Sequence, residues 1–312
     1  MENILDEKIK LGISACMYGS KFRYNGKGIN ILEYLKREKG DFFWSPVCPE
    51  VMAGLGVPRS SIRLVGGNGF DFWDGDAQVK NRFGKNVSGI IKAGTLSCLE
   101  TLKRADIDAY VYMEGSPTCG INRTTLRKES LGKPPGIFGA LLLKEEIFLI
   151  PALDLQSPLR WWDWRRRLVA FTWLKRKDIQ TTSEFIQCWD LLKVLCQEID
   201  EEKAKDINSR IKDLPNNTTL EEFKKIQIEI LDILRTPSNT EKIKKWLWEN
   251  YNFLKDTYGI EVEKVCDPGY LRGVTHVAAE ILEVELKAKK MEKPFRSSPI
   301  NYNPRREGRK RS

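Results

Sequence analysis

A chain of 312 residues, 41% hydrophobic and 30% charged, has the make-up of a globular protein with one large domain or two ordinary ones. It contains no run of about 18 apolar residues for a membrane span, and its start, MENILDEKIK, lacks the apolar core of a secretory signal, so a cytoplasmic protein with no membrane partner is expected. The formal net charge of +9 favours polyanions such as RNA without establishing that one binds.

The predicted elements of the first half alternate between strand and helix. KLGISAC is a short apolar run ended by a turn, and INILEYLKREKG has helical spacing with Gly40 placed as its cap. DFFWSPVCPE is a second extended run, interrupted by Pro46. SSIRLVGG reads as a third strand, with turns around GGNGFDFWDGD. NVSGIIKAGTLSCLETLKRAD carries apolar residues at helical spacing, IDAYVYMEG is another strand, and PPGIFGALLLKEEIFLI begins glycine-rich and ends apolar. Strand and helix in alternation predict an α/β domain over residues 1–151 with a mostly parallel sheet flanked by helices.

After Pro151 the composition shifts to Lys, Glu, Trp and Leu, and an all-α domain is expected over residues 152–291. Two S/T-x-x-E signatures, at Thr219–Glu222 and Ser238–Glu241, mark helix starts there, and Gly259 marks a helix end. Cys188, Leu192 and Cys196 share one helical face, with Leu195 beside them. Residues 292–312 are rich in Pro, Arg and Ser, the signature of a basic disordered tail. The segment RWWDWRRRLVAFTWLKRKD admits three readings. Its aromatics stack on bases while its arginines bind phosphates, or it lies at a membrane interface, or it packs a Trp face against the first domain with its arginines outward.

Seven cysteines in a reducing compartment point to metal binding or catalysis rather than disulfides. No C-x-x-C pair is present, which excludes a zinc ribbon or a thioredoxin motif. The single histidine, His276, falls in a helical stretch and rules out a multi-histidine metal site. Three cysteines share one setting: Cys16, Cys48 and Cys119 each follow an apolar run at a turn. In an open parallel sheet the carboxyl ends of the strands share one edge, where ligands bind, so these three could converge. Cys98, Cys188 and Cys196 sit at apolar helical positions and read as small core hydrophobes, while Cys266 lies in the turn VCDPG. A structural zinc site closes with four ligands, and iron–sulfur clusters are commonly held by four thiolates, so three thiolates would leave one metal position open. Glu50 lies two residues after Cys48, and Ser116 lies three before Cys119. A carboxylate serves as general base or acid, and a hydroxyl hydrogen-bonds a substrate or passes a proton. Either residue also suits plain local structure, Glu50 in the first turn of a helix and Ser116 as a turn opener.

The stretches ISACMYGSKFRYNG, PVCPEVMAGLGVPR, GFDFWDGDAQVKNRFGKNV and GSPTCG resemble the TudS-like thiouracil desulfidases, in that family's order and roughly its spacing. The resemblance runs from about Lys10 to Pro151. It implies a 4Fe–4S cluster held by Cys16, Cys48 and Cys119 with one iron free of protein ligands. It also implies Glu50 and Ser116 as catalytic residues, and removal of sulfur from a thiolated pyrimidine as hydrogen sulfide. The partner it implies is a small thiolated base or nucleoside, with tRNA as a further candidate. Asn25 stands where the family usually has Asp in its RYDG turn, and GSPTCG replaces SPSCG. The helical half is not covered by the resemblance and is read as an accessory domain facing RNA or substrate. Two other classes fit the same residues: a cluster-bearing sulfur carrier, and an RNA-binding protein with a structural metal.

Overall fold

A computed structural model describes residues 2–125, 133–215, 218–263 and 265–304. The chain divides into two compact units, one spanning Lys8–Gln156 and the other joining Met1–Glu7 to Ser157–Arg305. The first short strand, β1 (Ile4–Leu5), therefore belongs to the second unit although it opens the chain.

The first unit is built on a four-stranded, wholly parallel sheet. Its strands are β2 (Ile9–Ser14), β3 (Phe42–Val47), β6 (Ala109–Tyr112) and β7 (Phe148–Pro151), in the order β3-β2-β6-β7. A parallel sheet covered on both faces wants continuous apolar strands, and Ile9, Leu11, Ile13, Ala109, Tyr110 and Val111 are all fully buried. Pro46 is tolerated because β3 is an edge strand, where a missing ladder donor costs nothing. The chain leaves β2 toward β3 on one side and returns to β6 on the other, so the strand order reverses between β2 and β6. Ligands of open α/β sheets bind at such a reversal.

Between these strands lie β4 (Ile62–Val65) and β5 (Gln78–Asn81), which pair antiparallel as a separate two-stranded sheet. The short helix α1 (Pro49–Met52) follows β3 directly, with Cys48 as N-cap and proline at the first position. The stretch read as turns at GGNGFDFWDGD contains instead a helix, α2 (Gly69–Asp74). A capping box overrides its low helix propensity: Asn68 accepts from the Asp71 N–H, and Asp71 accepts from the Asn68 N–H. Gly40 does not cap its helix either. Residues Ile31–Asp41 form a 3-10 helix that runs past Gly40 and is kinked at Lys36, whose φ is 49°. Helix α3 (Ser88–Arg104) falls where its spacing predicts, and α4 (Ile137–Lys144) forms inside the stretch PPGIFGALLLKEEIFLI, whose sequence was read only as glycine-rich and then apolar.

The second unit is helical: α5 (Pro158–Lys175), α6 (Thr182–Ile199), α7 (Glu201–Lys212), α8 (Leu220–Arg235), α9 (Thr240–Tyr258) and α10 (Val274–Lys290). The capping box at Thr219–Glu222 forms, and Gly259 ends α9 in the left-handed region at φ 66°. The expected box at Ser238–Glu241 does not: the N-cap is Asn239, one residue later, accepting from the Lys242 N–H. Cys188, Leu192, Leu195 and Cys196 are buried as their helical face predicts, and His276 is exposed on α10. None of the described helices is long and apolar enough to cross a membrane.

Residues 292–304 depart from the expected disorder. Phe295 and Ile300 are buried, and β8 (Asn301–Tyr302) pairs parallel with β1. Residues 305–312 of that predicted tail lie outside the described residues.

The arginine–tryptophan stretch of α5 also differs from expectation. Trp161, Trp164 and Trp173 are buried, and so are Arg166 and Arg167, which were expected outward. Arg166 donates to Asp163 from Nε and Nη2, at 3.1 and 2.9 Å, pairs with Glu198, and donates to the Ser297 carbonyl at 3.0 Å. Arg167 donates to Asp163 at 3.0 Å and to the Leu234 carbonyl at 3.0 Å. Asn250 and Ser297 donate to Glu198, and the Ser238 N–H donates to Asp163. These guanidinium groups therefore knot α5, α6, the end of α8, α9 and the C-terminal segment together, and are not presented to RNA.

Two predictions follow from this packing. Helix α3 crosses α1 at Gly94, where an added Cβ would lie 2.5 Å from both the Ala53 nitrogen and the Pro49 oxygen. Gly94→Ala should cost roughly 1–3 kcal/mol, measured as a lower urea midpoint at unchanged slope. In the second unit, burial pushes the Asp163 carboxyl up, but Arg167 and Arg166 outweigh it and hold it below the ordinary carboxylate range. Stability from a depressed carboxylate is present above its unfolded value, near pH 4, and is lost as pH falls through its folded one. Asp163→Asn, which removes the charge shared by two buried guanidinium groups, should destabilise by roughly 3–5 kcal/mol at neutral pH. The gap from the parent protein should narrow in acid-unfolding series below about pH 4.

Candidate active site

Three adjacent parallel strands, β3, β2 and β6, end side by side, and each end leads into one of the three cysteines singled out in the sequence. Cys16 lies two residues beyond β2, Cys48 directly beyond β3, and Cys119 in the turn after β6. Hydrogen bonds continue past the ladders and tie these ends to one another. The Ala15 N–H donates to the Val47 carbonyl at 2.9 Å, and the Met113 N–H donates to Ser14 Oγ at 3.1 Å.

The GSPTCG turn is held from behind by α4. The first helical N–H groups have no partner within their own helix, and here they are used up on the turn. Ile137 donates to the Pro117 carbonyl at 3.2 Å, while Phe138 and Gly139 donate to the Thr118 carbonyl at 2.9 and 3.1 Å. Gly136 permits this approach, since a Cβ there would stand 2.7 Å from the Thr118 oxygen and 2.8 Å from the Pro117 oxygen.

Cys16, Cys48, Cys119, Glu50 and Ser116 all line one cavity of about 490 Å³. The structure thus brings together all five residues expected from sequence. It adds Thr118 and Arg59, which sequence reasoning missed. Glu50 is nearly buried, with 12% of its side chain exposed, and both its oxygens are engaged. Oε2 accepts from Arg59 Nε at 2.8 Å and pairs closely with Nη2, and Oε1 accepts from Thr118 Oγ1 at 2.9 Å. Thr118 Oγ1 lies 2.9 Å from Ser116 Oγ. Ser116 Oγ in turn accepts from the backbone N–H groups of Thr118 at 3.2 Å and Cys119 at 3.1 Å.

Arg59 also donates to the Phe22 and Gly56 carbonyls, and its own N–H donates to the Tyr24 carbonyl. It thereby fixes the loop that carries Phe22, Arg23 and Tyr24 along the cavity wall. In that loop Asn25 Oδ1 accepts from the Lys27 N–H at 3.2 Å, so the carboxamide supplies the turn's acceptor without a charge. Arg23, Arg63 and Arg82 line the cavity as well, making it attractive to anions. A usable signal for Arg59 was its place at the end of the PVCPEVMAGLGVPR stretch. Thr118 lay between two singled-out residues, where the sequence shows only a Ser-to-Thr change.

The thiols carry the electrostatic mark of the site. Burial pushes Cys16 up to about 12, with Cys48 and Glu50 adding to it. Burial also raises Cys48, although backbone N–H groups of α1 oppose the shift, and it raises Cys119 well above the ordinary thiol value, reinforced by Cys48 and Cys16. These thiols sense one another, and an incoming cation must displace their protons. Among the described residues no three His, Cys, Asp or Glu side chains stand close enough to hold a single metal ion. An iron–sulfur cluster asks for something else, since each cysteine meets a different iron and the sulfurs stand correspondingly apart. Three separated thiols around one cavity fit that demand. Cys98 lies behind Cys48, fully buried in α3, and keeps its core role. Cys188, Cys196 and Cys266 belong to the other unit.

Removing the Arg59 guanidinium should leave Glu50 buried and unpaired. Arg59→Met is expected to cost roughly 3–5 kcal/mol. The double variant with Glu50→Gln should recover much of that loss, read by urea denaturation in a double-mutant cycle.

Known proteins resemble the N-terminal half of the chain. The family model described as 2-thiouracil desulfurase matches residues 11–153. The uncharacterized protein YbbK of Bacillus subtilis (strain 168) is 29% identical over 151 residues, covering 47% of this chain and 98% of YbbK. A solved structure of a [4Fe-4S]-dependent thiouracil desulfidase, TudS, is 27% identical, covers 47% of this chain and 91% of its own, and superposes with a TM-score of 0.38. The N-terminal half of this chain is thus TudS-like, and over residues 11–153 it is similar to the 2-thiouracil desulfurase family.

Proposed function

We propose that the N-terminal unit is a desulfidase that replaces the sulfur of a thiolated pyrimidine base or nucleoside with oxygen, using a 4Fe–4S cluster held by Cys16, Cys48 and Cys119. The observation that carries this reading is the meeting of three sequence-distant thiols with a buried carboxylate and a hydroxyl around one cavity. When bound, the cluster supplies a Lewis-acidic iron, free of protein ligands, for the thiocarbonyl sulfur. Glu50 is the general base that takes a proton from the attacking water. Arg59 and Thr118 fix its two oxygens, so the carboxylate is held in one orientation. Ser116 donates to the departing sulfur or to the tetrahedral species. Its oxygen rests on two backbone N–H groups that steady any negative charge developing there. Phe22 and Tyr24 offer aromatic faces to a flat ring.

Anaerobic purification and cluster reconstitution, with iron and sulfide counted, test the reading. Sulfide release from 2-thiouracil, 4-thiouracil, 4-thiouridine and thiolated tRNA is then measured side by side. The expected outcome is a loaded cluster and sulfide release from at least one base or nucleoside. Glu50→Gln should keep the cluster and lose at least about 100-fold in kcat, whereas Cys16→Ala should lose the cluster. A protein that binds no cluster, or a Glu50→Gln variant with full turnover, overturns the reading. A loaded cluster that accepts persulfide while leaving every thiobase intact identifies a sulfur carrier instead.

A further inference from the structure

The hydroxyl chain beside the cavity assigns a role to a residue outside the expected catalytic set, and the assignment rests on Glu50 and Ser116 being the acid–base groups. A serine hydroxyl has one proton and two acceptor sites. Both acceptor sites of Ser116 Oγ are filled, by the N–H groups of Thr118 and Cys119. Its proton is left for Thr118 Oγ1, 2.9 Å away. The single proton of Thr118 goes in turn to Glu50 Oε1 at 2.9 Å, the nearer and stronger acceptor, with Cys119 Sγ at 3.7 Å as the other. The other carboxylate oxygen is occupied by Arg59. The connection from Ser116 to Glu50 therefore runs through Thr118, and its direction is set by the carboxylate at its end.

We propose that Thr118 is the positioning residue that couples Ser116 to Glu50 and carries the proton between them during desulfuration. As the water oxygen bonds to the ring carbon, one of its O–H bonds breaks and Glu50 Oε1 takes the proton. Both hydroxyls then turn, and Ser116 Oγ exchanges one of its two backbone N–H bonds for the Thr118 hydroxyl as donor. Glu50 passes that proton to Thr118 Oγ1, Thr118 passes its own to Ser116 Oγ, and Ser116 gives its own to the sulfur. The C–S bond breaks with its electron pair going to sulfur. The second water proton leaves the new hydroxyl as the carbonyl forms and passes through solvent to the departing hydrosulfide, which completes hydrogen sulfide. Water and a thiocarbonyl become a carbonyl and hydrogen sulfide, with no oxidant or reductant, and Glu50 returns to the carboxylate.

The test compares wild-type protein with Thr118→Val, which keeps the shape and removes the hydroxyl, and Thr118→Ser, which restores it. All are reconstituted alike. Thr118→Val should keep its iron content and lose about 100-fold in kcat, with KM changed by less than about threefold. Thr118→Ser should return to within about fivefold of wild type, with the wild-type solvent deuterium isotope effect on kcat. Thr118→Val turnover within about twofold of wild type, or Thr118→Ser no better than Thr118→Val, overturns the assignment. Neutron diffraction of the wild-type protein gives a readout independent of turnover and of how the variants fold. The Ser116 deuteron should point at Thr118 Oγ1 and the Thr118 deuteron at Glu50, and a Ser116 deuteron aimed elsewhere overturns Thr118's role alone. A fully loaded wild type that releases no sulfide from any thiolated pyrimidine overturns the desulfidase reading, and the relay with it.

Discussion

The parallel pairing of β2 with both β3 and β6 is the constraint on which the site depends. Parallel neighbours finish on the same edge, so residues near positions 16, 48 and 119 become neighbours once two ladders form. The pairing is driven by burial: Ile9, Leu11 and Ile13 of β2 are fully enclosed, and so are Ala109, Tyr110 and Val111 of β6. A one-residue slip of either ladder would turn these side chains over and scatter the cysteines with them. The site thus inherits its precision from an apolar core.

Local chemistry then sets each residue finely. Cys48 caps a four-residue helix whose proline start sends Glu50 into the cavity. Cys119 sits in a turn whose carbonyls take the otherwise unused N–H groups of α4. In both places a helix end meets the sheet edge, and the backbone supplies the hydrogen bonds. The side chains of Glu50, Ser116 and Thr118 are left to bond one another.

Much of this was legible in the sequence because it is local. Apolar runs cut off by turns gave the strands, and the repeated placement of a cysteine after such a run pointed to the shared edge. What escaped reading depended on partners distant in the chain or on one specific hydrogen bond. Helix α2 hid behind Gly, Asn and Asp, and rests on a reciprocal cap between Asn68 and Asp71. Arg166 looked like a surface charge, because Glu198 stands 32 residues away and Ser297 stands 131. Thr118 looked like a mild variation until Glu50, 68 residues earlier, was found at its hydroxyl. The three cysteines proposed as cluster ligands were named by motif, and their spacing within the chain carries no distance in space.

The buried thiols have a consequence for how such a protein survives its own synthesis. Oxidants and alkylating agents attack the thiolate, and the fraction present as thiolate falls tenfold for each unit by which a thiol is raised. Cys16, pushed up to about 12, and Cys119, raised well above the ordinary thiol value by its burial, are chemically quiet while they hold their protons. A freshly folded chain therefore offers little thiolate to oxygen or to alkylating agents at this edge of the sheet. The enclosure that makes the thiols reluctant to ionise is also a preservative.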